Sequence, residues 1–423
     1  MTKRVLLIAF HFPPLNVSSG LQRPLSLARY LPRHDWEPVV LTASTRAYEA
    51  IDPSSVAALP AGLEVVRAPA LDAARHLAVR GWYPGRLGIP DRWGTWFLGA
   101  VPAGLALIRR FRPDVIWSTY PLATAHRIGL ALHRATGLPW VADFRDPMVE
   151  QIDGEWFPAD ARLRSARLKI ERSVARRATV ATFCTDTARR IYLERHAGSL
   201  PAGAGGQATE VIANGFDPEP FDALASAPAP VAGSRPLTLV HSGTLYPGPD
   251  RDPGAFLAAL CELRQRGVLP AGLRVVLRAT GFDATYRPLI SQLGLDDVVE
   301  LAPAISYRAA LREILDADGL LLFQGHTSNP AVPGKVYEYL RARRPILALV
   351  DAGGETAALL RGAGVGTLLP IDDAPRIATG LESFFRDLVA GTGAVLPPGG
   401  ADTYSRIRRV AEFATLFTQI AGR

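Results

Sequence analysis

Cysteine is nearly absent: Cys184 and Cys261 are the only two in 423 residues, too few and too far apart for a disulfide framework or a cysteine-built zinc site. Such a chain is expected in a reducing, cytoplasmic setting. His11, His126 and His241 fall near strand ends without the paired spacing of metal ligands, and no Asp-x-Asp stands where a metal-bound diphosphate would need it. No essential metal and no cofactor are expected. Long hydrophobic runs are missing too. VLLIAF, residues 5–10, stops at His11 and is too short for the core of a secretory signal. The longest uncharged run, 93–108, is interrupted by Pro102 and is shorter than the roughly 20 residues of a membrane span. No G-x-G-x-x-G follows the first strand, which argues against a dinucleotide-dependent enzyme. No nucleic-acid motif or basic-aromatic interleaving appears, so nucleic acid is not an expected partner.

What is present is an ordered, basic, two-domain pattern. The composition is 48% hydrophobic and 21% charged, as in globular proteins, and the length suits two domains. A net charge of +7 and an isoelectric point near 9.6 favour anionic partners. Short, unalternating apolar runs such as RVLLIAF, DVIWSTYP and GLLLFQG alternate with helical stretches, the pattern of parallel strands buried on both faces. The expected fold class is α/β, with two Rossmann-like doubly wound sheets in tandem. The expected boundaries are 1–216 for a first domain, 217–236 for a Pro/Ala-rich linker, 237–395 for a second domain, and 396–423 for a C-terminal helix returning to the first domain. Ligands of open α/β sheets bind at the carboxyl ends of the strands, so function is sought in the βα loops, facing an interdomain cleft.

In NPAVPGKVYEYLRARRPILAL, 329–349, Pro333 and Gly334 precede a crossover helix expected over 335–343. Its first free N–H groups would attract an anion. Lys335 and Glu338 share one face of the first turn, the lysine able to hold a phosphate and the glutamate able to accept from hydroxyls, although a plain surface pair has the same spacing. Arg251, in HSGTLYPGPDRDP after the second domain's first strand, is placed to complete a diphosphate clamp with Lys335. Gly243 and Thr244 lie in that same loop, and Gly354 and Glu355 begin a further helix. In the first domain, Ser19 and Gly20 form a small-residue turn before a helix, suited to a phosphate or to simple capping. ADFRDPMVE gathers Asp143, Arg145, Asp146 and Glu150 at a strand's end, read either as a catalytic loop or as an internal Arg-carboxylate brace. Tyr120 and Trp93 are assigned with Asp143 and Asp146 to the acceptor side.

Taken in order, FHFPP…SSGLQRP, PWVADFRDP, VIANGFDPEPF, HSGTLY…RDP, VPGKVYEYLRARRPILAL and GGETAALL resemble glycosyltransferase family 4, in a DFRDP-type subgroup, over nearly the whole chain. That resemblance implies the GT-B fold, with 1–216 as the acceptor-binding domain and 237–395 as the nucleotide-sugar-binding domain, a nucleotide-diphosphate-sugar donor, retention of anomeric configuration and no metal. It implies that Lys335 and Arg251 hold the diphosphate, Glu338 the donor ribose and Gly20 a phosphate from the other domain. Three positions depart from the family pattern: Pro330 replaces a first glutamate, Arg145 a histidine, and Thr244 an arginine. The implied function is a retaining glycosyltransferase acting on a hydroxyl-bearing acceptor. The alternatives are a GT-B nucleotide-sugar epimerase and an inactive nucleotide-sugar-binding protein.

A membrane partner is a further expectation. Trp82, Tyr83, Trp93, Trp96 and Phe97 stand beside an apolar helix ending in Arg109 and Arg110, and a basic helix follows over 162–177. This reads either as peripheral contact with an anionic leaflet or as a buried helix over a solvated cationic one.

Overall fold

A computed structural model describes residues 2–15, 19–200, 207–225 and 236–422. It divides into two compact units, Met1–Asn214 with Arg406–Arg423, and Gly215–Ser405.

In the first unit, β1 (Lys3–Ile8), α1 (Gln22–Tyr30), β2 (Trp36–Ala43), β3 (Glu64–Ala68), α2 (Ala73–His76) and α3 (Trp96–Phe111) are followed by β4 (Val115–Thr119), α4 (Ala123–Thr136) and β5 (Trp140–Arg145). A small antiparallel hairpin, β6 (Glu150–Ile152) and β7 (Glu155–Phe157), precedes α5 (Ala161–Arg177), β8 (Val180–Phe183), α6 (Asp186–His196) and β9 (Ala208–Val211). Seven parallel strands run in the order β3-β2-β1-β4-β5-β8-β9. Successive side chains of a strand point to opposite faces, and the first apolar run shows why it does not alternate with polar residues. Leu6, Ile8 and Phe10 enter the core beneath α3 and α4, while Val5, Leu7 and Ala9 enter the core on the other face.

The second unit comprises α7 (Pro218–Ala225), β10 (Thr238–Ser242), α8 (Gly254–Gln265), β11 (Arg274–Arg278), α9 (Asp283–Gln292), β12 (Val299–Ala302), α10 (Tyr307–Asp316), β13 (Gly319–Gln324), α11 (Gly334–Ala342), β14 (Ile346–Val350), α12 (Glu355–Gly362), β15 (Thr367–Leu369) and α13 (Ala374–Ala390). Its six parallel strands run β12-β11-β10-β13-β14-β15, again with a core on each face. Both sheets reverse direction of winding at the first strand, which places the ligand-binding edge at the carboxyl ends of β1 and β10.

Three expectations change. The stretch taken as a linker begins with α7, whose Phe221 and Leu224 enter the second unit's core; residues 226–235 lie outside those described. Leu396 and Ala401, assigned to a C-terminal helical segment, also enter that core. The final helix, α14 (Arg406–Ala421), starts later and packs in the first unit, where Phe417 meets Trp36 at 5.5 Å and Phe413 meets Trp117 at 6.1 Å. Asp143 lies inside β5, not in the loop after it.

Candidate functional site

The second unit builds its site from the loops after β10, β13 and β14. Pro333 caps α11 without a side-chain hydrogen bond, leaving the backbone N–H groups of the first turn turned outward. Lys335, in that turn, brings its Nζ to 3.3 Å from His241 Nε2. His241 ends its ring's other side on the Leu321 carbonyl, 2.9 Å from Nδ1, and is fully buried. Nδ1–H therefore donates to Leu321, and Nε2 is left as the acceptor for the lysine ammonium. Burial, then the charge of Lys335, hold His241 well below the ordinary imidazole range. Burial and the Arg251 charge lower the Lys335 ammonium to about 7, against the opposing pull of Glu338. Gly243 has φ +118°, a conformation that favours glycine, and a Cβ there would also displace Lys335 Nζ, which it would meet at 2.7 Å.

Arg251 is half-buried, paired with Asp250 at 3.2 Å and lying over the Tyr246 ring at 5.4 Å. Thr327 Oγ1 donates to Asp250 Oδ1 at 3.2 Å, so the arginine loop is tied to the turn after β13. Two cations thus converge with a helix N-terminus, a seat for an anion of more than one charge. Glu338 Oε1 accepts from the exposed Tyr307 hydroxyl at 2.8 Å. Thr244 stands beside Gly281.

The loop carrying Pro330 is rigidly held. Buried Gln324 donates to the carbonyls of Ser328 at 2.7 Å and Ala331 at 2.8 Å, while Thr356 donates to Gln324 Oε1 at 2.5 Å. The Glu355 N–H donates to the Asn329 carbonyl at 3.1 Å, and a Cβ on Gly354 would meet Asn329 Oδ1 at 2.5 Å, so any larger residue at 354 would displace the Asn329 side chain.

In the first unit, Asp143 is fully buried and receives four hydrogen bonds: two from Arg23, at 2.9 and 3.1 Å, one from Thr119 at 2.7 Å and one from Thr182 at 2.8 Å. Arg23 also donates to the carbonyls of Ile212 and Ala213, at 2.8 and 3.0 Å. The Asp143 carboxylate is therefore a brace whose partner is Arg23, not Arg145, and its acceptor positions are filled. Arg145 has φ +62°, an uncommon conformation for a residue with a side chain, at an irregularity in the β5–β8 pairing. Its guanidinium donates to the Gly20 carbonyl at 3.2 Å, which ties β5 to the 3₁₀ turn Ser19–Leu21.

Asp146 is exposed just beyond it. Glu150 is pushed up to about 7, first by burial and then by the Asp146 charge. Glu171 supports this loop from beneath, accepting from Met148 N–H at 3.1 Å while pairing with Arg195 at 3.1 Å and His196 at 2.9 Å.

Tyr120 and Trp93 are placed differently from the expectation. Tyr120 is buried with its hydroxyl 3.4 Å from Arg167, and burial pushes its phenol up to about 12. Trp93 donates to the Ala47 carbonyl at 3.1 Å, with its ring 5.2 Å from Phe10. Both belong to the interior, where large aromatic rings contribute most by burial.

Residues 21–203 match the family described as glycosyl transferase 4-like domain. The match lies within the first unit. Among solved structures, the chain is similar to a sucrose-phosphate synthase of Thermosynechococcus elongatus, with a TM-score of 0.64, 15% identity, and coverage of 99% of this chain and 98% of that one. HepE of Anabaena in complex with UDP gives a TM-score of 0.64, 14% identity, and 99% and 100% coverage. A trehalose-6-phosphate synthase studied for glycosyl transfer with retention gives a TM-score of 0.64, 13% identity, and 99% coverage of each chain. At these identities the likeness is one of fold, and that fold is GT-B. No curated protein matches the sequence.

Sequence reasoning did not select three residues of these sites. His241 was set aside for lacking metal spacing, though its place at the end of a buried strand before a Ser-Gly turn is a signal. Arg23 was hidden in an ordinary helix start. Glu150 was noted in the β5 loop but not assigned.

Proposed function

We propose that the protein is a retaining glycosyltransferase that moves a sugar from a nucleotide-diphosphate donor to an acceptor hydroxyl without a metal ion. The observation that carries this reading is the Lys335 ammonium, held 3.3 Å from neutral His241 at the uncapped start of α11, with the Arg251 charge close enough to lower it. Lys335, Arg251 and the α11 N–H groups would bind the diphosphate. As the bond from sugar C1 to the diphosphate oxygen breaks, negative charge grows on that oxygen, and these groups are stabilising where the charge develops. Glu338 and Tyr307 supply an acceptor and a hydroxyl for the donor's ribose. The acceptor oxygen forms the new bond to C1, and its proton leaves to the departing diphosphate. The first unit would serve the acceptor through the exposed Asp146 and through Glu150.

UDP is suggested as the nucleotide because HepE binds UDP and, in a second complex, UDP-glucose. Retention is suggested by the transfer chemistry of the similar trehalose-6-phosphate synthase. Among the described residues, no group of three or more His, Cys, Asp or Glu is placed to hold a metal ion. A thermal-shift screen of nucleotide-sugars, followed by mass detection of product with and without a chelator, tests the reading. One donor should raise the melting temperature, since a ligand of the folded state shifts unfolding, and turnover should survive chelation.

A second reading, donor binding without transfer, draws on Pro330 standing where the family resemblance expects a glutamate. Stabilisation by a donor with neither transfer nor donor hydrolysis would favour it.

A further inference from the structure

The aromatic segment after β3 is only partly interior. Trp96 is buried, and Trp93 and Phe97 pack against the first unit's core. Trp82 is different: it is 70% exposed, with Val79 at 75%. The two residues flank a tight turn closed by both backbone hydrogen bonds, Val79 N–H to the Trp82 carbonyl at 2.8 Å and Trp82 N–H to the Val79 carbonyl at 3.1 Å. Arg80 and Gly81 have φ of +51° and +79°, the pairing of two-residue hairpin turns. The apolar side chains are thus presented on a closed turn. Leu87 follows at 36% exposure, and Leu98, 74% exposed, lies in the first turn of α3. Thr95 ties the start of that helix to Leu71 through hydrogen bonds of 2.9 Å to both its N–H and its carbonyl.

The charge along this stretch of chain has one sign. From Ala73 to Pro90 there is no aspartate or glutamate, and Arg75, Arg80 and Arg86 are exposed. A second exposed aromatic pair, Trp156 and Phe157 on β7, supplies a contrast. It shares its hairpin with the exposed Asp153 and Glu155, while Arg164 lies over Trp156 at 5.4 Å, so the charge there is mixed. Tryptophan and arginine on an apolar protrusion match the interface of a bilayer, where the indole sits among headgroups and the guanidinium meets their phosphates.

The geometry points to a peripheral membrane-docking site, formed by the Val79–Trp82 turn with Leu87, Arg80 and Arg86, whose partner is an anionic phospholipid bilayer. Among the described residues no helix is long and apolar enough to cross a membrane, so the contact is interfacial. The turn belongs to the segment that leaves the carboxyl end of β3, the sheet edge from which the loop with Asp146 and Glu150 also leaves. Docking there brings that edge to the bilayer. On the functional reading given above, it makes a lipid-linked acceptor the expected substrate class.

Co-sedimentation with vesicles tests the docking itself, without donor or acceptor. The full chain should pellet with phosphatidylglycerol–phosphatidylcholine vesicles and remain largely soluble with phosphatidylcholine alone. Partition should fall at least tenfold in Val79→Ser/Trp82→Ser and in Arg80→Glu/Arg86→Glu, both melting as the parent does, while Trp156→Ser partitions like the parent. A protein that stays in the supernatant with both vesicles overturns the proposal. So does equal pelleting of parent and Val79→Ser/Trp82→Ser. Trp82-dependent self-association in sedimentation velocity without lipid, with no vesicle binding, would assign the turn to a second copy of the chain instead. Because no turnover is measured, failure here leaves the transferase reading to its own test.

Discussion

Lys335 Nζ lies 3.3 Å from His241 Nε2, and the histidine is turned toward it by the Leu321 carbonyl. Two groups that both favour protonation in water share one buried place, and only one of them carries the proton. His241 stays neutral and accepts, while Lys335 is left near neutrality in its own titration, at about 7. A diphosphate arriving beside Lys335 would favour the charged ammonium and raise that value.

Donor binding should therefore take up a proton. Above pH 7 the empty site holds increasing amounts of neutral Lys335, whereas the occupied site keeps it charged, so affinity falls as pH rises. The expected slope approaches about tenfold per pH unit until the pKa of the occupied site is reached. Calorimetry with UDP-glucose in buffers of different ionisation enthalpy should show proton uptake at pH 8 and much less at pH 6. The same measurement on His241→Phe should give an altered proton count, since the acceptor at Nε2 is gone. Identical proton counts in parent and variant would remove His241 from the site.

Lys335→Ala and Arg251→Ala should each lower turnover by roughly 100-fold, the scale of losing one charge-stabilising donor. A smaller change in donor affinity is expected, because charge on the diphosphate grows in the transition state. Glu338→Ala should act the other way, weakening donor binding with kcat less affected, because ribose contacts change little during transfer. Steady-state kinetics with the donor varied would separate the two patterns.

Asp143→Asn should unfold the first unit more easily. The amide cannot accept all four hydrogen bonds, and Arg23 would remain buried beside a neutral group. Breaking a buried pair from one side costs about 3–5 kcal/mol, read as a lower midpoint in denaturant. A variant with parental stability and no turnover would return Asp143 to a direct role in transfer.

Acid should destabilise the protein through a buried histidine. His126 is fully buried, with Nδ1 2.8 Å from Ser118 Oγ and Nε2 without a hydrogen-bond partner among the described residues. Burial lowers it from 6.5 to about 4. The unfolded chain thus binds a proton at this position near 6.5, where the native chain does not. Its contribution is complete above 6.5 and is lost as pH falls through 6.5 toward 4, by about 3 kcal/mol in all. Glu150, raised to about 7, acts in the opposite direction over this range, so urea titrations between pH 7 and 4 should show the His126 slope as the difference between the parent and His126→Gln.

Much of the architecture is legible along the chain because burial leaves a local record. Runs such as VLLIAF and GLLLF place apolar residues on both faces of a strand, which requires cover on both sides and leads to parallel sheets with helical crossovers. The Pro-Gly-Lys segment likewise announces a helix start at an anion-binding edge, and α11 begins there. Charged side chains leave no such record of their partners. Asp143 and Arg145 are close in sequence, yet Asp143 pairs with Arg23, 120 positions away, because β5 and the start of α1 meet. His241 meets Lys335 across 94 positions because β10 and β13 are adjacent in the sheet, and α11 follows β13. The aromatic segment shows the same limit. Trp82 and Trp96 look alike in a string of letters, and the packing of α3 on the sheet buries one while the closed turn at Arg80–Gly81 holds the other in solvent. Periodicity states how much surface an element must hide; strand order and the chain's return path decide which groups are brought together when it is hidden.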